Sequence, residues 1–166
     1  IMETFTYKEI LQQPSCWIKE YEVLLEEKTR IQAFLEKYLT NETDIVLTGA
    51  GTSAFIGDAI APLLRGVWKN VRAVATTDIV TNAADYLVAD KPLLLISFAR
   101  SGNSPESVAA VNLANAICKN VAHIYITCNK NGHLAQSANA ENILSLLLPE
   151  ETDDKSLAMT SSFSTM

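Results

Sequence analysis

Leu93-Leu94-Leu95-Ile96-Ser97-Phe98-Ala99-Arg100-Ser101-Gly102-Asn103-Ser104-Pro105-Glu106-Ser107 runs from a strand through a loop into a helix. Its four leading aliphatics leave no polar face. A strand made of them is covered on both sides, as strands of a parallel sheet are. Gly102 breaks the run, and Ser104-Pro105-Glu106 opens a helix, with serine at the cap and proline at the first helical position, where its missing N–H would have no partner anyway. A strand, a hydroxyl-rich loop and a helix in that order make half of a βαβ unit.

The same texture extends to both sides. Short apolar runs predict strands over 45–48, 71–75, 93–97, 122–127 and 143–148, and helical stretches between them fall at 53–64, 79–87, 104–119 and 133–138. Right-handed crossovers then give an α/β fold, a doubly wound, five-stranded parallel sheet flanked by helices. Ahead of it, apolar residues from Ile18 to Leu39 recur every three or four positions as in one long amphipathic helix. A shorter helix is expected over 6–13, ended by Pro14, with Ser15 capping the next. This divides the chain into N-terminal helices over 1–40 and an α/β domain over 41–166. A helix begins at Thr160, but it has only about a turn and a half, so the last strand is expected to lack a cover and the chain reads as C-terminally truncated.

Two loops carry the chemistry. Thr48-Gly49-Ala50-Gly51-Thr52-Ser53 follows the first strand and opens a helix, bringing hydroxyls to N–H groups that have no helical partner. It lacks the third glycine of a dinucleotide fingerprint and the G-K-[ST] of a P-loop. Arg100-Ser101-Gly102-Asn103-Ser104 follows the third strand, with Ser107 within reach of the same helix start. Plain capping explains either loop alone. In the order 2-1-3-4-5, however, strands one and three are neighbours whose helices leave on opposite faces, so both loops fall at the topological switch point where such folds bind ligands. A shared anion site is the stronger reading of the pair.

At these residues the chain resembles the sugar isomerase (SIS) domain family, of flavodoxin-like strand order. Gly51-Thr52-Ser53 matches that family's G-T-S loop, and Ala99-Arg100-Ser101-Gly102-Asn103-Ser104 its S-x-S-G-x-T loop, with Ala99 in place of the first serine. The resemblance covers 45–166. The stretch Ser97 to Ser107, with Leu157-Ala158-Met159-Thr160-Ser161-Ser162-Phe163, Tyr7-Lys8-Glu9-Ile10 and Gln12-Gln13-Pro14, is similar to the tagatose-6-phosphate ketose/aldose isomerases, also described as galactosamine-6-phosphate deaminase/isomerases. The resemblance implies a phosphosugar-binding domain for a hexose or hexosamine 6-phosphate, bound by Gly51, Thr52, Ser53, Arg100, Ser101, Gly102, Asn103, Ser104 and Thr160. It further implies no cofactor and a homo-oligomer joined through SIS domains. Catalytic members carry two such domains, with the base in the later part of the enzyme, and this chain has one. The alternative is a sugar-phosphate sensor of a regulator, and in a third reading the N-terminal helices serve mainly for dimer contacts.

Candidates for acid–base work are few. His123 lies within an apolar strand and reads as a packed core residue, whereas His133, after Asn131-Gly132, stands at a helix start on the ligand edge. Glu151 and Asp154, in the acidic run after the fifth strand, are weaker candidates, and substrate contact suits that run better than base catalysis. No His, Cys and carboxylate cluster has metal-ligand spacing, so no metal is expected. Cys16, Cys118 and Cys128 read as buried free thiols. The net charge of −6 speaks against nucleic acid, and with no apolar run long enough to span a bilayer and no signal-like start, no membrane is expected and the cytoplasm is the compartment expected.

Overall fold

The computed structural model describes residues 4–166, so the first three residues of the expected N-terminal segment lie outside the described residues. The helix α1 spans Phe5–Tyr38. It is followed by β1 (Asp44–Gly49), α2 (Ala54–Leu64), β2 (Val71–Ala73), α3 (Thr76–Thr81), α4 (Ala83–Tyr86), β3 (Leu93–Ala99), α5 (Pro105–Ile117), β4 (Val121–Thr127), α6 (His133–Gln136), β5 (Ile143–Leu147) and α7 (Ser161–Thr165). The five strands form one parallel sheet of order β2-β1-β3-β4-β5.

Every residue of β1 and β3 is buried, because both faces of the sheet are covered. On one face Val46, Leu93, Leu95 and Tyr125 pack with Ile79 of α3 and with Ala110, Val111 and Ala114 of α5. On the other, Ile45, Leu47, Leu94, Ile96, Ile124 and Leu144 meet Phe34 of α1 and Ile56 and Ala61 of α2. Alternation along each strand sends successive side chains to the two layers.

Three expectations are corrected. Pro14 does not end a helix: it sits inside α1. A proline removes the bond its own N–H would make to the carbonyl four residues back. That carbonyl, Ile10 O, instead accepts from Gln13 Nε2 at 2.9 Å, and Ser15 Oγ donates to Gln12 O at 2.7 Å rather than capping a second helix. The expected helix over 79–87 starts earlier and breaks at Asn82, whose backbone leaves the helical region (φ −147°, ψ 68°) while its amide bonds Asp85. An Asn side chain competes with the backbone for such bonds. Finally, β5 has a cover. Partly buried Ile31, Leu35 and Tyr38 of α1 and Phe163 and Met166 at the end of the chain belong to the same apolar layer as Leu144 and Leu146, and Arg30 Nη2 bonds Ser145 O at 2.9 Å.

Among the described residues, no helix is long and apolar enough to cross a membrane. Two titratable groups, the half-buried Glu20 and the buried His123, oppose each other in their effect on stability. Burial pushes the Glu20 carboxyl up to about 7, and its Oε2 has no hydrogen-bond partner. Burial also holds His123 down to about 4, with Nε2 3.0 Å from Asn115 Oδ1. For Glu20 the unfolded chain ionises first, so stability falls as pH rises from about 4.5 to about 7. For His123 the unfolded chain takes the proton first, so stability falls as pH drops from about 6.5 to about 4. The substitution Glu20→Gln is therefore expected to raise Tm at pH 8 by about 2–4 °C per kcal/mol recovered. It also leaves the acid loss from His123 uncompensated, so thermal melts of the variant should show a steeper decline below pH 6.5 than the wild type.

Candidate functional site

The pairing of β1 with β3 sets Thr48 opposite Ser97 and Gly49 opposite Phe98, so the loops that follow leave the sheet at the same level. The first is a single 3-10 turn over Gly51–Ser53 that runs directly into α2. In the second, Gly102 has φ 64°, a left-handed conformation that strains any side chain carrying a Cβ. The second loop is braced from the β4–α6 side. Arg100 O accepts from Cys128 N at 3.2 Å, Ser101 O from Asn129 Nδ2 at 3.1 Å, and Gly102 O from Leu134 N at 3.1 Å. Asn103 Oδ1 accepts from the His133 backbone N–H at 2.8 Å.

Ser104 caps α5, accepting from Ser107 N at 3.2 Å, and its hydroxyl donates to Ser107 Oγ at 2.6 Å. Both loops open onto one pocket of about 140 Å³, lined by Ala50, Ser53, Phe98, Ala99, Arg100, Ser101, Ser104, Ser107 and Met159. Ser53 Oγ lies 3.5 Å from Met159 Sδ, so the pocket is bounded on one side by the segment after β5. Near the ends of the strands that lead into these loops, the hydroxyls of Thr48 and Ser97 are buried without a partner. Four hydroxyl side chains, one guanidinium and a helix start converging on a small pocket favour an anion.

The remaining expected residues are placed differently. Gly51 and Thr52 are exposed on the first loop, and Gly102 and Asn103 shape the second. Thr160 precedes α7 and gives its backbone N–H to Asp154 Oδ2 at 2.9 Å. His123 is buried in β4, as expected, and His133 is exposed at the start of α6. Asp154 is turned inward, where it accepts from the Ser161 hydroxyl and from Ser162 N (2.8 Å) and Ser162 Oγ (2.6 Å). Burial would raise its pKa, but these bonds outweigh it and hold the carboxyl below its ordinary value. Glu151 pairs with Lys19 of α1, which holds its carboxyl low as well. Neighbouring Glu150, Asp153 and Lys155 instead line a cavity of about 320 Å³ at the ends of β4 and β5, together with Cys128 and Asn129. Burial pushes the Cys128 thiol up to about 12, far from a nucleophile's range.

Sequence reasoning did not reach Glu9 or Met159 as parts of the site. Glu9 on α1 is 5% exposed; its Oε1 accepts from Lys155 N at 2.6 Å and Ser156 N at 3.2 Å, and the Ser156 hydroxyl donates to its Oε2. The Ser156 carbonyl accepts in turn from Arg100 Nη1 at 3.1 Å. Glu9 is linked in this way to the pocket's guanidinium through a single residue. A carboxylate in a helical stretch read as amphipathic gives no sign of a partner 146 residues away.

Comparison with known proteins fits this geometry. A model of the SIS domain matches residues 38–166. The D-galactosamine-6-phosphate deaminase AgaS of Escherichia coli is 54% identical over 166 residues, covering 98% of this chain and 43% of that protein. The protein of the same name from Shewanella sp. (strain ANA-3) is 46% identical with the same coverage. The crystal structure of tagatose-6-phosphate ketose/aldose isomerase from Escherichia coli superposes with a TM-score of 0.95 at 52% identity, covering 98% of this chain and 45% of that one. The chain thus spans less than half the length of these relatives.

Asp154 satisfies four donors on Thr160, Ser161 and Ser162. Hydrogen bonds to a charged group contribute about 1.5–3 kcal/mol each, not additively, so Asp154→Ala is expected to cost on the order of 3 kcal/mol in urea unfolding. Because the folded pKa is depressed, this stabilisation is present above the ordinary carboxylate range and lost as pH falls through the folded value. The gap between wild type and variant should narrow on acidification, and a loss under about 1 kcal/mol at neutral pH would rule out this anchoring role.

Proposed function

This chain belongs to the SIS domain family, and we propose that it is the phosphosugar-binding domain of an aldose–ketose isomerase or amino-sugar deaminase acting on a hexosamine or hexose 6-phosphate. The observation that carries the proposal is the convergence of Ser53, Ser101, Ser104 and Arg100 on one pocket at the start of α5. The substrate class rests on the relatives' names, galactosamine 6-phosphate and tagatose 6-phosphate. The phosphate would sit against the α5 N-terminus, where the helix dipole and the N–H groups favour negative charge, with Arg100 as the charged partner.

With its phosphate held there, a sugar would extend along the carboxyl edge of the sheet, toward the cavity lined by Glu150 and Asp153. These two carboxylates have the access to bind sugar hydroxyls or an amino group. Glu151 and Asp154, engaged with Lys19 and α7, fit a supporting role instead. His133 is kept as a candidate for ring opening because it is exposed and its backbone is fixed to Asn103 of the second loop. Proton transfer between adjacent carbons needs a base within hydrogen-bond reach of the substrate. By the family resemblance that base comes from a further domain. The three free, buried cysteines fit a cytoplasmic protein.

Calorimetric titration with galactosamine 6-phosphate, tagatose 6-phosphate and unphosphorylated galactosamine tests the proposal. Binding should require the phosphate, and Arg100→Ala and Ser104→Ala should each weaken it by about tenfold, or 1.4 kcal/mol. The second phosphate pKa is about 6, so affinity should fall as the ligand becomes a monoanion below that pH. Equal binding of galactosamine, or unchanged affinity in both variants, would overturn the assignment.

A further inference from the structure

Among the described residues that line the anion pocket, Arg100 alone carries a charge, and a neutral group holds it there. Its Nη1 donates to the Ser156 carbonyl at 3.1 Å, and among the described residues it forms no ion pair. A guanidinium offers several N–H groups in a planar fork and a charge that does not titrate. A carboxylate set directly on that fork would neutralise the charge and occupy the geometry that a phosphate needs. A single carbonyl takes one N–H and leaves both in place.

What holds that carbonyl lies on α1. Glu9 Oε1 accepts from Lys155 N at 2.6 Å and from Ser156 N at 3.2 Å, while the Ser156 hydroxyl donates to Glu9 Oε2. Ser156 is thus tied to one carboxylate through its amide and its side chain, and to Arg100 through its carbonyl. A few residues along the helix, Gln12 Nε2 bonds Glu151 O at 2.8 Å and Ser161 Oγ at 2.9 Å, on either side of Ser156 in the chain. The helix therefore grips the segment after β5 at several places, and Glu9 is the grip on the residue that meets Arg100. Glu9 is 5% exposed. Burying a carboxylate adds little net stability even when it is well bonded, so the needs of the fold do not account for one at this position.

We propose that Glu9 is a positioning residue for phosphosugar binding: by fixing Ser156 it presets the Arg100 guanidinium at the pocket, and by standing one residue away it leaves the charge of Arg100 free for the ligand. This rests on the assignment of the pocket as the phosphate site. Calorimetry with galactosamine 6-phosphate tests it. Glu9→Ala should weaken binding by about fivefold, less than the roughly tenfold loss expected of Arg100→Ala, since it misplaces the guanidinium without removing it. In the Arg100→Ala background the same substitution should cause no further loss. Glu9→Gln should bind within about twofold of the wild type, because its amide oxygen can accept from the two backbone N–H groups and its amide nitrogen can donate to the Ser156 hydroxyl. Gln12→Ala, which loosens the same segment away from Ser156, should leave the affinity unchanged. If Glu9→Ala does not fold, Glu9→Asp, which withdraws the carboxylate by one methylene, is read in the same two backgrounds. Unchanged or tighter binding in Glu9→Ala, an equal loss with and without Arg100, or an equal loss in Gln12→Ala would overturn the proposal while the pocket assignment stands. A wild type that does not bind, or an Arg100→Ala variant that binds as well as the wild type, would overturn the pocket assignment and the role of Glu9 together.

Discussion

Everything at the site depends on the parallel pairing of β1 with β3. Their register puts Thr48 beside Ser97, and the helices that follow the two strands leave on opposite faces of the sheet. A crevice must open where the chain diverges in this way, and it opens between two loops that both end at helix starts. The strands can be central because, after Asp44 at the start of β1, which pairs with Arg72, nothing on them is polar until Thr48 and Ser97. Those two hydroxyls mark the level at which the sheet stops being hydrocarbon and becomes a binding edge.

A second layer of organisation comes from the first two-thirds of α1, whose inner face is mostly polar and bonds the segment after β5, while its last turns fill the core. Glu9 holds Lys155 and Ser156, Ser156 meets Arg100, and Asp154 gathers the start of α7. Met159 from the same segment bounds the pocket beside Ser53. The segment is thus fixed at both ends by buried carboxylates, each satisfied by several donors. A buried carboxylate is tolerable only under that condition. The consequence is a pocket whose guanidinium is linked through Ser156 to Glu9, near the other end of the chain.

The acidic run after β5 illustrates how closely spaced charges divide their tasks. Glu150 and Asp153 face a cavity, while Glu151 and Asp154 turn toward α1 and α7. The 3-10 turn over Glu150–Thr152 sets this division, since it rotates successive side chains by about a third of a turn. Composition alone marks all four as equivalent.

The sequence by itself determined the five strands, the two hydroxyl-rich loops and the Ser104 cap. Each of these is written in a local pattern: unbroken aliphatics for a covered strand, glycine for a left-handed turn, Ser-Pro-Glu for a helix start. It also made His123 a core residue, because an apolar strand leaves its side chains nowhere else to go. Only the tertiary structure decided that Pro14 lies within one helix, where a neighbouring glutamine amide takes the place of the missing N–H. It alone showed that Ile18, Tyr21 and Leu25 face outward while Phe34 faces the sheet, and that Glu9 and Asp154 are bound inside. The physical reason is the same in each case. Helical periodicity states that a stripe exists but not which surface lies against it, and the partners of a buried carboxylate are donors brought close by folding from distant positions in the chain.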